Sequence, residues 1–276
     1  MLYVTEKLIL LDRITQMESK IKFSKYQGAG NDFILIDNRN LHFDSKNEDL
    51  IHKLCDRRFG IGADGLMLLQ EKENFDFEMI YYNADGRQGT MCGNGGRCIV
   101  AYARDLGIIR DNTAFLAVDG IHKANLDDKL IDLQMIDVHE INRDGDAYVI
   151  NTGSPHYIIF ENNLSDLDVF SAGYKIRNNT TYRDEGINVN FIEKEGESGY
   201  FLRTFERGVE DETFACGTGA TAAAMTIALH ENRNGQITIP IRVLGGQLYI
   251  SFFKEDFTFT EVYLKGPATF VFEGTI

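Results

Sequence analysis

The sequence contains no tryptophan, and only 3 prolines and 4 cysteines among its 276 residues. Cys55, Cys92, Cys98 and Cys216 are too few and too scattered for the disulfide framework that staples small secreted domains. No stretch approaches the ~18 consecutive apolar residues that a membrane-spanning helix needs. Basic clusters are also missing. Against 42 Asp and Glu stand 28 Lys and Arg, a net charge of −14, which argues against nucleic acid and anionic membranes as partners. The apolar run Leu8–Leu11 is broken by Asp12 and Arg13, and no small-residue cleavage site follows, so the opening residues make a poor signal peptide. Residues 1–20 read as an appendage or a mis-assigned start, with Met17 as an alternative initiator. These absences together lead us to expect a cytoplasmic protein whose thiols are free for chemistry.

What is present is ordinary for a soluble globular chain: 43% apolar and 25% charged residues, at a length that fits one large domain or two modest ones. Short runs rich in β-branched and aromatic residues dominate. Strands are expected at Phe33–Ile36, Leu66–Leu69, Phe75–Tyr82, Tyr148–Thr152, Tyr157–Phe160, Ile187–Ile192, Gly199–Phe205, Leu248–Phe253 and Phe257–Leu264. Helices are expected over Glu48–Arg58, about Asn94–Leu106, near Asp166–Ala172, and over Thr218–His230. The last is apolar almost all round, which places it inside the structure.

The two halves echo each other. A strand ending at Asn83 is followed, 9 residues on, by Cys92 in the run Met91-Cys92-Gly93-Asn94-Gly95 and a helix. A strand ending at Glu206 is followed, 10 residues on, by Cys216 in the run Ala215-Cys216-Gly217-Thr218-Gly219 and another helix. Two copies cannot form a solenoid. They imply a duplicated α+β fold, each copy wrapping strands around one buried helix, with a cleft between the copies. A thiol at the entrance to a helix is expected to have a lowered pKa. The unpaired N–H groups beside it can hold a carboxylate. Two such thiols facing one cleft could remove a proton from one side of a carbon and return one to the other. Cys55, on the apolar face of its helix, and Cys98, inside the second helix, are expected to be plain buried hydrophobes. Zinc is disfavoured, because the Cys92/Cys98 spacing fits no common knuckle.

From about Ile21 to Ile276 the sequence resembles the diaminopimelate epimerases. The resemblance rests on Gly28-Ala29-Gly30-Asn31-Asp32-Phe33, Asp56-Arg57-Arg58-Phe59-Gly60-Ile61-Gly62-Ala63-Asp64-Gly65, Asn83-Ala84-Asp85-Gly86 and both cysteine loops. It continues through Gly153-Ser154-Pro155-His156, Asn188-Val189-Asn190-Phe191 and Glu206-Arg207-Gly208. It implies two pseudo-symmetric α+β domains, each a mostly antiparallel curved sheet around a central helix. These would be residues 21–135 plus 265–276, and residues 136–264, the last strand returning to the first domain. It implies an epimerase that needs neither pyridoxal cofactor nor metal, interconverting LL- and meso-diaminopimelate, commonly as a homodimer. Cys92 and Cys216 match the acid/base pair. Asn31, Asn83, Gly93, Asn94, Ser154, Asn188, Glu206, Arg207, Gly217 and Thr218 match substrate-binding positions, and His156 and Glu206 match positions that tune the thiols.

The chain departs from the family pattern in places. Ser154 stands where many members have Asn, and reaches substrate only through water. Gly65 stands where some have Gln, which removes a polar contact. The loop from Glu206 to Cys216 is one residue longer than the common form, and the segment from Met135 to Gly153 is short. The proline and hydroxyproline racemases share the paired cysteines but favour His after the first Cys-Gly, where this chain has Asn94. They also carry an Asp-Arg-Ser-Pro run before the second cysteine, where this chain has Thr213-Phe214-Ala215. The competing reading from a different class is a non-enzymatic thiol or metal-binding protein.

Overall fold

The computed structural model describes residues 21–89, 91–127, 129–197 and 199–276. The expected appendage at residues 1–20 lies outside the described residues. Strands β1 (Lys22–Gly28) and β2 (Asn31–Asp37) form a hairpin whose turn, Ala29 and Gly30, takes φ of 53° and 95°. Helix α1 (Glu48–Cys55) then leads to β3 (Gly65–Gln70), parallel to β2, and β4 (Glu78–Asn83), antiparallel to β3. Helix α2 (Gly93–Asp105) precedes the antiparallel run β5 (Asn112–Ala117), β6 (Gly120–Asp127) and β7 (Leu130–Gln134).

The second half repeats this order. β8 (Ile141–Asp144) and β9 (Ala147–Asn151) pair antiparallel, and β10 (Pro155–Phe160) returns along β9. Helix α3 (Val169–Arg177) leads to β11 (Asn188–Glu195), parallel to β10, and β12 (Gly199–Glu206). A short β13 (Asp211–Thr213) lies on β12 before α4 (Gly217–His230). β14 (Gly235–Val243), β15 (Gly246–Glu255) and β16 (Thr258–Pro267) complete it. The halves join where β16 pairs with β7. Past Ala268 the chain crosses over, and β17 (Thr269–Thr275) pairs with β1. β17 thus stands beside β1 as β8 stands beside β9.

Each half closes on its own helix. In α2 every residue from Gly93 to Ala103 is buried, and α4 is buried on all sides from Ala220 to Ala228. Small side chains let the surrounding strands pack close to both helices. Ile158, Ile192, Leu202, Ile239 and Ile250 pack on α4, while Phe33, Met67, Phe115 and Leu133 pack on α2.

Two expected helices have other bounds. α1 stops at Cys55 because the Asp56 carboxylate accepts from the amides of Arg58 and Phe59, both at 2.7 Å. That local turn competes with continued helix. Gly62 and Ala63 then donate to the last carbonyls, of Leu54 and Cys55. α3 begins later than expected, at Val169, because Asp168 is its N-cap and accepts from Ser171 N at 3.0 Å.

Candidate active site

Cys92 and Cys216 are the N-cap residues of α2 and α4, with nearly identical backbones: φ −109°, ψ 124° and φ −113°, ψ 112°. The N-termini of the two helices meet. A Cβ built on Gly217 would lie 3.6 Å from Gly93 Cα, and the buried Leu264 packs on both glycines. Asn94 Nδ2 donates to the Ala215 carbonyl at 2.9 Å, tying one cysteine loop to the other. The third helical residue is glycine in both copies. A Cβ on Gly95 would stand 3.6 Å from Cys92 Cβ, and one on Gly219 3.3 Å from Cys216 Sγ.

In the first half, the Asn94 side chain is fully occupied. Its Nδ2 also donates to Asn31 Oδ1, and its Oδ1 accepts from Arg97 at 2.8 Å. Asn31 in turn donates to Asp64 at 3.0 Å. Arg97 is completely buried and donates to uncharged groups, Asn94 Oδ1 and the carbonyls of Gly93 and Pro267. Just behind Asn31, Asp32 bridges Lys25 at 2.8 Å and Arg57 at 2.7 Å. Burial raises the Asp32 pKa, but these two cations outweigh it and hold the carboxyl at about 2.

In the second half, His156 is fully buried and contacts Thr218 Oγ1 at 2.9 Å and Ser154 Oγ at 3.0 Å. Thr218 Oγ1 is 3.4 Å from Cys216 Sγ. Asn188 donates to Ser154 Oγ at 3.2 Å and accepts from the Arg207 amide at 2.9 Å. Ser154 Oγ is bonded to His156, Thr218 and Asn188. Glu206, at the end of β12, accepts from Thr213 Oγ1 at 3.1 Å. Arg207 is exposed and donates to the Glu185 carbonyl, and Asn83, at the end of β4, is exposed as well.

The expected lowering of the thiol pKa values does not survive burial. Burial raises the Cys92 pKa, and the amides of Gly95 and Asn94 pull it down only partly. Cys216 is pushed up to about 12, chiefly by burial and then by the charge of Glu206, against the opposing Thr218 hydroxyl and Gly219 amide. Neither thiol makes a full capping hydrogen bond. Charge on Cys92 also raises Cys216, so the two sulfurs sense each other. Burial raises Glu206 too, while burial and then Arg207 lower His156 to about 3, leaving its ring neutral. Cys55 and Cys98 are buried, both pushed up to about 12 by desolvation.

At Gly65 the structure explains the departure from glutamine. A Cβ there would lie 2.5 Å from both the Tyr81 ring and the Tyr82 carbonyl oxygen. Tyr81 fills the space that a longer side chain would need. Tyr81, Asp64, Arg97, Asn190 and Thr213 also border the site without matching an expected site position. Asp64 and Asn190 fall inside matched motifs, and Arg97 stands three residues beyond the Asn94 it supports, so proximity to the matched residues is a usable signal. For Thr213 the only hint was its place before Cys216.

These features define a class. A duplicated α+β fold brings two helix-capping cysteines to one junction, the fold of the racemase- and epimerase-type enzymes. The chain can be superposed on a phenazine biosynthesis protein of the PhzF family from Bacillus anthracis, with TM-score 0.73 at 14% identity over 94% of this chain and 99% of that one. A hydroxyproline epimerase from Agrobacterium vitis matches with TM-score 0.69 at 13% identity, over 93% and 92%. The sequence is more specific. The diaminopimelate epimerase family model matches residues 23–129 and 148–271. A diaminopimelate epimerase of Flavobacterium psychrophilum is 52% identical over 93% of this chain and 100% of its own length. That of Chlorobaculum tepidum is 44% identical over 90% and 98%. The chain belongs to the diaminopimelate epimerase family, and is therefore an isomerase acting on a small molecule. Among the described residues no helix is long and apolar enough to cross a membrane.

Proposed function

We propose that the enzyme interconverts LL-2,6-diaminopimelate and meso-diaminopimelate by a two-base reaction at one α-carbon, in lysine and peptidoglycan precursor synthesis. The observation that carries the reading is the matched pair of helix-capping cysteines, abutting through Gly93 and Gly217. One sulfur, as thiolate, takes the α-proton, and the electron pair left on carbon delocalises into the adjoining carboxylate. The other sulfur, as thiol, delivers its proton to the opposite face, and the stereocentre inverts. The charge states of the two sulfurs exchange, so the next turnover runs in reverse unless protons re-equilibrate.

The backbone amides of Gly93, Asn94, Gly217 and Thr218 stabilise the charge that develops on the carboxylate. Thiols raised by burial suit this task, because a stronger sulfur base is better matched to a weakly acidic C–H. Arg207 grips the distal carboxylate, with Asn31, Asn83, Asn188 and Glu206 binding the remaining polar groups. His156 and Glu206 set the sulfur charge. Neither pyridoxal nor metal takes part. The domains are residues 21–135 plus 265–276 and residues 136–264, and the enzyme is a cytoplasmic homodimer.

LL-diaminopimelate incubated in heavy water without added cofactor should acquire deuterium at one α-carbon. Cys92→Ala and Cys216→Ala should each abolish epimerisation. Undiminished turnover in either variant would sink the two-base scheme.

A further inference from the structure

Asn190 lies in β11, two residues beyond Asn188, completely buried and without a part in the reaction just described. Its amide can be oriented from its own neighbours. Nδ2 lies 3.2 Å from the Tyr157 carbonyl and 3.3 Å from that of Asn188, and both can only accept. Oδ1 accepts from Thr204 Oγ1 at 3.0 Å. A flipped amide would press its oxygen against two carbonyl oxygens. The nitrogen is therefore the atom that meets His156 Nδ1, at 3.0 Å. A donor facing Nδ1 requires a lone pair there, so the single ring proton of neutral His156 sits on Nε2.

From Nε2 the donors run in one direction. Nε2–H points at Thr218 Oγ1, with Ser154 Oγ beside it. Ser154 Oγ already accepts from Asn188 Nδ2, which leaves its hydroxyl hydrogen for Thr218 Oγ1 at 3.2 Å. Thr218 Oγ1 then receives two hydrogens, and its own is left for Cys216 Sγ. Among the described residues the first half shows no counterpart. At the matching position, Asn94 gives its side chain to Asn31, Ala215 and Arg97 and none of it to Cys92.

We propose that Asn190 is a positioning residue that locks His156 as the Nε2–H tautomer, so that the Thr218 hydroxyl donates to the Cys216 sulfur and supports its thiolate against the burial that opposes it. The consequence for turnover rests on the two-thiol reading above, whereas the tautomer does not. The charged group that bears on His156 is Arg207, and those that bear on Cys216 are Glu206 and Cys92.

The test uses the full chain labelled with 15N-histidine, the His156 ring being assigned by its loss in His156→Gln. Long-range 15N–1H spectra between pH 6 and 8 should show a protonated Nε2 and a bare Nδ1. A proton on Nδ1 overturns the proposal without any variant having to fold. In Asn190→Leu the ring should become a mixture of tautomers. Alkylation of Cys216 by iodoacetamide, followed on its own peptide by mass spectrometry, should slow on the order of tenfold at pH 8 as its thiol pKa rises about one unit. Alkylation of Cys92 should not change. If tautomer and Cys216 alkylation both match the unsubstituted chain, Asn190 has no positioning role. Failure of Cys216→Ala to abolish epimerisation would count against the two-base reaction and leave the tautomer result standing.

Discussion

Gly219 and Asn190 occupy one space: a Cβ added to Gly219 would lie 2.4 Å from Asn190 Oδ1 and 3.3 Å from Cys216 Sγ. The second glycine of the second cysteine loop is thus required by a buried amide and a sulfur. Asn190 Oδ1 is held by Thr204 and has little freedom to withdraw.

Gly219→Ala should therefore cost about 1–3 kcal/mol of stability, as overpacking of a tight interior does. Its effect on turnover should be larger than that loss implies, because the displaced atoms adjoin the sulfur. Urea unfolding measured alongside kcat separates the two. A variant with unchanged kcat would show that the Asn190–Gly219 contact gives way harmlessly.

Gly65→Gln, the residue of some relatives, should destabilise rather than restore a contact. Its Cβ would meet the Tyr82 carbonyl oxygen, which is backbone paired across β3 and β4. A loss of about 1–3 kcal/mol in urea unfolding is expected. Gly65→Gln combined with Tyr81→Ala should recover little of it, because the carbonyl remains.

Asp32→Asn should destabilise the chain by about 3 kcal/mol at neutral pH, because Lys25, almost fully buried, loses its carboxylate partner. The folded carboxyl has a pKa of about 2, below its ordinary 3.8. The stability it contributes is therefore complete above about pH 4 and is lost as pH falls toward 2. Urea unfolding at several pH values should show the gap between the two proteins narrowing across that window. A gap that stays constant would remove Asp32 as its source.

Glu206→Gln should accelerate alkylation of Cys216, since the carboxylate is the largest influence after burial that raises this thiol. If Glu206 also binds substrate, epimerisation should fall on the order of 100-fold while the thiol becomes more reactive. Parallel losses of both would point to general damage.

Much of this architecture can be read in the residues, though unevenly. The two central helices and their cysteines stand out because Gly-rich turns and all-round apolar faces are local signals. β6 does not, because Ala124 is its one buried residue and the rest of the strand has no apolar rhythm. β14 is masked by Pro240, which argues against a strand. It is tolerated there because β14 pairs with β12 only at Ile241 and Arg242. The thiols show another limit. A helix N-terminus is visible in the sequence, but the burial that outweighs it comes from strands distant along the chain. Likewise, the departures at Ser154 and Gly65 could be seen as departures, but not their partners His156 and Tyr81.

The placing of β17 bears on how the protein is made. Lys22 pairs with Thr275, and Ile21 and Ile276 exchange backbone hydrogen bonds at 2.9 and 3.0 Å. As the nascent chain leaves the ribosome, the first half emerges without the strand that borders β1. That edge lacks its partner through synthesis of the whole second half, a delay of roughly 7 to 27 seconds at about 5–20 residues per second. The first half therefore gains its last strand only after the second half has been made.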